Sequence, residues 1–259
     1  NTARINVIET LSKGDFVSPI AVRINEINSN LGIEDLAIIE HIAVDRPFSL
    51  VIPKVEKLQN VADICKRLEI LEVKIGREKL SILLQIQIES ALGLSRIFEI
   101  ASSCQRIQAL VFGPGDFAAS LGMRVKNIGE RPKNIPTMDP YYFPRMMILT
   151  AARANGLYAI DGPFSDLRNE YGLVLSSRES AALGFDGKWA IHPSQIQIIE
   201  EEFNPSQEEF EHALQIVEKL ESSIHPGALV ADGHMIDEAT RKMALATITR
   251  GRAAGMKRG

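Results

Sequence analysis

Short, almost wholly apolar segments recur along this chain, and each gives way to a stretch with helical spacing. "SPIAVRIN" (18–25) precedes "IEDLAIIEHI", "FSLVIPK" (48–54) precedes "EKLQNVADICKRLEIL", and "ILLQIQI" (82–88) precedes "LSRIFEIASS". "IQALVFG" (107–113) leads through a long irregular insert to "YYFPRMMILTAARANG", "LYAID" (157–161) to "SSRESAALGF", and "KWAIHP" (188–193) to "SQEEFEHALQIVEKLESS". Strand followed by helix, over and over, requires a parallel sheet, because parallel neighbours need a crossover between them. Strands this apolar must be covered by helices on both faces or closed into a barrel.

The segment from Ile82 to Glu89 favours the barrel. Side chains of a strand alternate between faces, so Ile82, Leu84, Ile86 and Ile88 share one face while Leu83, Gln85, Gln87 and Glu89 share the other. In a TIM-type (β/α)8 barrel the outer face of each strand packs under helices, and the inner face turns polar toward the carboxyl-terminal mouth, where active sites lie. Glu89 then stands at that mouth. Arg23, on one face of its strand with Ala21 and Asn25, is its counterpart, and the turn "GPG" sets Asp116 just past another strand. Asp161 and His192 also end strands. Taken singly, each reads blandly: Asp161 as a turn or cap residue, His192 as a hydrogen-bonded structural histidine, and Arg23 as the partner of a nearby carboxylate. Only their convergence on one rim points to a site.

With 259 residues, 45% hydrophobic and 24% charged, the chain can bury a large core. It divides into a barrel domain over 1–222 and a C-terminal segment over 223–259. The formal charge of −4 argues against nucleic-acid or anionic-membrane partners, despite the basic tail "RGRAAGMKRG". No apolar run reaches the ~20 residues that span a bilayer. Cys65 and Cys104 have no CxxC spacing, so neither a disulfide framework nor a zinc site is implied and a reducing, cytoplasmic compartment fits.

Seven blocks carry a resemblance: "VRIN" (22–25), "IPKVE" (52–56), "IQIESALG" (86–93), "FGPGDFAASLG" (112–122), "AIDGPFSD" (159–166), "GKWAIHPSQI" (187–196) and "ADGHMIDEA" (231–239). In this order they resemble the citrate lyase β-subunit-like (HpcH/HpaI aldolase) family, most of all its malyl-CoA and β-methylmalyl-CoA lyases. The resemblance implies a TIM-type barrel with a C-terminal helical lid, Mg²⁺ (with Mn²⁺ as a substitute) as cofactor, acyl-CoA and a small 2-oxo-acid as substrates, and a homo-oligomer whose lid reaches a neighbouring subunit. By the same resemblance Glu89 and Asp116 are the metal ligands, Arg23 holds the substrate carboxylate, and Asp237 is the lid acid. The family places two strands ahead of the point where this chain begins. About six of the roughly eight barrel strands are visible here, and an open remnant would expose two apolar edges, so further strands ahead of Asn1 are expected.

These assignments are chemically coherent. Two carboxylates without His or Cys partners suit a hard divalent cation, which leaves positions open for a chelating oxo-acid. Arginine offers a planar fork for a carboxylate. Asp237 has a bland reading of its own, as N-cap of the helix that follows. The expected activity is reversible cleavage of malyl-CoA or β-methylmalyl-CoA to glyoxylate and acetyl-CoA or propionyl-CoA. Citryl-CoA cleavage, malyl-CoA thioester hydrolysis and a non-enzymatic binding subunit are the alternatives.

Overall fold

The computed structural model describes all residues except 1, 15, 17, 42–46, 131–138, 223–228 and 232–233, with the side chains of 40, 229–231 and 234 also left aside. In chain order the elements are α1 (Thr2–Lys13), β1 (Ala21–Arg23), α2 (Asn30–Ile38), β2 (Phe48–Ile52), α3 (Leu58–Lys74), β3 (Ile82–Ile88), α4 (Ala91–Ser95), α5 (Ile97–Ser102) and β4 (Ile107–Phe112). They continue with α6 (Pro114–Ser120), α7 (Tyr142–Ala154), β5 (Tyr158–Asp161), α8 (Glu170–Leu183), β6 (Gly187–Lys188), α9 (Ile196–Phe203), α10 (Gln207–Glu221), β7 (Leu229–Ala231), β8 (His234–Ile236) and α11 (Glu238–Ala253). These fall into two compact units, 1–193 and 194–259. The division comes earlier than the 222/223 boundary read from the sequence, so α9 and α10 belong with the C-terminal unit.

In the first unit β1 to β6 form one parallel sheet in sequential order. Sequential order is what right-handed βαβ crossovers laid side by side produce. The sheet is curled: the Arg23 guanidinium, at the end of one edge strand, lies 6.0 Å from the ring centre of Trp189, just beyond the other edge. This is a half-barrel consistent with a TIM-like architecture. Ile82, Leu84, Ile86 and Ile88 are fully buried on the outer face, as their parity requires. A register irregularity between β3 and β4 brings Gln108 round to donate to Ser49 Oγ on β2.

A buried ion pair and a disulfide tie the lead-in to β4 to helix α3. Arg106 forks onto Glu72 of α3 with two 2.7 Å bonds, and the same carboxylate accepts from the backbone of Leu80 and Ile82. Cys65 of α3 is paired with Cys104, ahead of β4, with Cα atoms 7.2 Å apart. The sequence reading implied no disulfide; helical and strand periodicity carry no signal for a contact between separate elements. The pairing also removes cysteine usage as the ground for a reducing compartment. Among the described residues no helix is long and apolar enough to cross a membrane.

The second unit packs α10 on α11 through Phe210, Ala213, Ala244 and Ile248, with Leu214, Val217 and Met256 around them. Gly251 lets Phe210 in, since a Cβ there would lie 2.3 Å from its ring. A capping box between Ser206 and Glu209 starts α10. Ahead of the last helix the structure has an antiparallel pair, β7 with β8, whose three-residue strands are too short for alternation to announce.

Candidate active site

Strand β3 delivers Glu89 to the carboxyl-terminal edge of the sheet, 5% exposed. Its Oε1 accepts from the backbone N–H of Lys54 at 2.8 Å, and its Oε2 from Gln87 Nε2 at 2.8 Å. Lys54 adopts a left-handed φ of 53°, a strained conformation for a residue with a Cβ, and this turn aims its N–H at the carboxylate. Asp116, exposed in the first turn of α6, faces Glu89. Burial pushes the Glu89 carboxyl up; the Lys54 N–H opposes this, but the charge of Asp116 and its hydrogen bond to the protonated form add to it, and the result is about 7. The structure therefore brings together the two carboxylates that the sequence placed on separate strand ends.

The space for this pair depends on Gly113. A Cβ at that position would lie 2.4 Å from Glu89 Cβ, 2.7 Å from Glu89 Oε2 and 2.9 Å from Gln87 Nε2. Two converging carboxylates, one reluctant to ionise beside the other, in a cradle that only glycine leaves open, fit a hard divalent cation. Among the described residues no three or more His, Cys, Asp or Glu side chains cluster as a cation site. A cation held by this pair alone would take its other donors from water and substrate, as Mg²⁺ commonly does.

Arg23 is exposed at the same edge of the sheet, against Trp189. Asn25, placed beside Arg23 by its parity in the sequence, is instead turned to Asp35 of α2: its N–H and Nδ2 both donate to Asp35 Oδ2, at 2.8 and 2.7 Å. Strand β1 ends at Arg23, so alternation no longer governs Asn25. Trp189 escaped the sequence reading, because β6 stops at Lys188 and a two-residue strand gives alternation no face to assign.

Asp161 is on the other face. It shares parity with Ala159, is buried, and accepts from Lys188 Nζ (2.6 Å), Ser180 Oγ (2.6 Å) and Arg145 Nε (3.2 Å). Burial alone would raise its carboxyl, but the charges of Lys188 and Arg145 outweigh that and hold it well below the carboxylate range. Asp161 is structural, but as the buried anion of an ion-pair cluster rather than the turn or cap residue expected from the sequence. Asp161→Asn leaves two buried cations short of a partner and is expected to cost about 3–5 kcal/mol of unfolding free energy in denaturant titration. A loss under ~1 kcal/mol would contradict this account of the cluster. His192 lies in no strand, because β6 stops at Lys188.

Asp237, in the second unit, is the N-cap of α11. Its Oδ1 accepts from Thr240 N at 2.9 Å and from Thr240 Oγ1 at 3.0 Å, and these bonds lower its pKa.

The family model of the HpcH/HpaI aldolase/citrate lyase family matches residues 1–193, the whole first unit. The chain belongs to this family. It is 34% identical over 253 residues to an L-malyl-CoA/β-methylmalyl-CoA lyase of Cereibacter sphaeroides, a match covering 93% of this chain and 79% of the relative. A crystal structure of a citrate lyase from Burkholderia xenovorans LB400 superposes with a TM-score of 0.84 at 22% identity, covering 99% of this chain and 80% of the other, a likeness of fold. The protein CitE of Mycobacterium tuberculosis, crystallised with magnesium, acetoacetate and coenzyme A, has a TM-score of 0.72 at 25% identity, over 96% of this chain and 83% of its own. As a member of this family the chain is a carbon–carbon lyase.

Proposed function

We propose that this protein is a Mg²⁺-dependent acyl-CoA lyase that reversibly cleaves malyl-CoA or β-methylmalyl-CoA into glyoxylate and acetyl-CoA or propionyl-CoA. The observation that carries the reading is the convergence of Glu89 and Asp116 at the carboxyl-terminal edge of the parallel sheet. The malyl-CoA lyase relative and the magnesium, acetoacetate and coenzyme A bound to CitE support the substrate class and the cation. Glu89 and Asp116 would hold Mg²⁺, which when bound supplies Lewis-acid polarisation of the oxo-acid carbonyl.

The other steps fall to the chain's own groups. The Lys54 backbone N–H and Gln87 Nε2 orient Glu89. Arg23 binds the glyoxylate carboxylate through its guanidinium fork, and the Trp189 ring steadies the cation by a cation–π contact. In cleavage the malyl hydroxyl releases its proton to solvent as it becomes the glyoxylate carbonyl, the electron pair of the broken C–C bond passes to the acyl-CoA α-carbon, and Asp237, protonated from solvent for this direction, returns a proton there; in condensation Asp237 as carboxylate removes that proton and the new alkoxide takes one from solvent. With its pKa lowered by Thr240, Asp237 is a carboxylate, and desolvation on lid closure would raise its proton affinity to match the task.

The chain has one tryptophan. Glyoxylate titrated into protein with Mg²⁺ is therefore expected to give a saturable change in intrinsic fluorescence as its carboxylate engages the Arg23 guanidinium beside the ring. Arg23→Lys keeps the charge and loses the fork; the KM for glyoxylate should rise on the order of tenfold or more, and the fluorescence response should move to higher concentration. An unchanged KM in that variant would remove Arg23 from the site.

Asp237 is proposed to act on the site of a neighbouring subunit, in a homo-oligomer. Asp237→Ala and Glu89→Gln proteins are each expected to be inactive. Mixed under conditions of subunit exchange they should regain activity, because some sites then combine an intact metal half with an intact lid. Continued inactivity after exchange has been demonstrated would confine Asp237 to its own subunit or to capping.

A further inference from the structure

Gln87 precedes Glu89 by two residues on β3 and shares its face. It is 4% exposed, and its Nε2 donates to Glu89 Oε2 at 2.8 Å. Its Oε1 is buried and has no hydrogen-bond partner among the described residues. Burying an amide oxygen unpaired is unfavourable, and a leucine of similar size would fill the same space without that penalty. The bond from Nε2 accounts for half of the amide, and fold stability gives no reason for the other half, the unpaired Oε1. The local backbone is arranged around it all the same, since a Cβ on Gly113 would lie 2.9 Å from Gln87 Nε2.

We infer that Gln87 is a positioning residue for the cation site: Nε2 sets the direction of the Glu89 carboxylate, and Oε1 is the acceptor for the hydration shell of the cation that Glu89 and Asp116 hold. This rests on the reading that those two carboxylates bind Mg²⁺. It assigns Gln87 no contact with the acyl-CoA or the oxo-acid. The partner that a half-satisfied buried amide lacks is a hydrogen-bond donor, and water on a divalent cation is a strong one.

The test is Mn²⁺ binding, followed by the paramagnetic resonance signal of the free ion, together with the melting temperature of metal-free protein. Wild type, Gln87→Leu, Gln87→Met and Glu89→Gln are compared. Both Gln87 variants are expected to bind Mn²⁺ about 10–100-fold more weakly, while their metal-free melting temperature is unchanged or raised. Wild-type affinity in either folded Gln87 variant would overturn the inference. A weakened affinity that comes with lowered metal-free melting temperatures in both variants, or failure of both to fold, would overturn it too, by making Gln87 a packing residue. The Glu89→Gln protein separates the two levels. If it loses Mn²⁺ while the Gln87 variants keep it, only the inference falls; if it too binds Mn²⁺ like wild type, the Glu89–Asp116 reading falls as well.

Discussion

Glu89→Gln is expected to lower Mg²⁺-dependent cleavage on the order of 10²–10³-fold or more while leaving the metal-free protein at least as stable at pH 8 as the wild type. The first part follows from removing a charged donor from the cation site, a loss at least as large as that of one donor to transition-state charge. The second follows from the sign of the Glu89 shift. Its carboxyl is raised from 4.5 to about 7 in the folded protein, chiefly by burial and then by Asp116. Between those two pH values the folded chain holds a proton that the unfolded chain has released, so metal-free stability falls as pH rises through that window. Above pH 7 the penalty is complete, on the order of 3 kcal/mol. A glutamine carries no such charge, so the variant should lack this pH dependence. Mg²⁺ should restore the wild type and do little for the variant. Full activity in Glu89→Gln, or a metal-free melting profile as pH-dependent as the wild type's, would sink the assignment.

Gly113→Ala is expected to be nearly as damaging to catalysis, although it alters no charged group. The added methyl would lie 2.4 Å from Glu89 Cβ and 2.7 Å from Glu89 Oε2. Real Cβ atoms do not come that close, so Glu89 or the start of α6 must shift, and either shift separates Glu89 from Asp116. Overpacking of this kind costs about 1–3 kcal/mol in stability. A misplacement near 1 Å at a reacting centre costs on the order of 10²-fold in rate. Metal titration and kcat on the folded variant check this together. A variant with wild-type Mg²⁺ affinity and rate would show that the cradle is not needed.

The fold was legible where strands are long. In β3, four isoleucine and leucine positions buried on one face against Gln85, Gln87 and Glu89 on the other told both the barrel-like curvature and the direction of the site. Asp161 shows what strand-end polarity alone leaves out. It ends a strand as Glu89 follows one, yet its parity with Ala159 turns it under the helices to Arg145, Ser180 and Lys188. Those partners come from α7, α8 and β6, and periodicity within one segment carries no trace of them. Trp189 was missed for a related reason: β6 is two residues long, too short for alternation to give a face. The Cys65–Cys104 pair and the β7–β8 hairpin likewise depend on tertiary context. The nearness of Glu89 and Asp116 was legible because each is placed by local rules, Glu89 by strand parity and Asp116 by the turn after β4.

The most direct measurement is to incubate the purified protein with malyl-CoA and trap released glyoxylate as its phenylhydrazone, with excess Mg²⁺ in one arm and a chelator in the other, for wild type and Glu89→Gln. Wild type with Mg²⁺ should release stoichiometric glyoxylate and acetyl-CoA, and both should be lost with chelator or with the glutamine variant. Free malate and CoA without glyoxylate, or cleavage that persists in chelator and in Glu89→Gln alike, would contradict the proposed Mg²⁺-dependent cleavage.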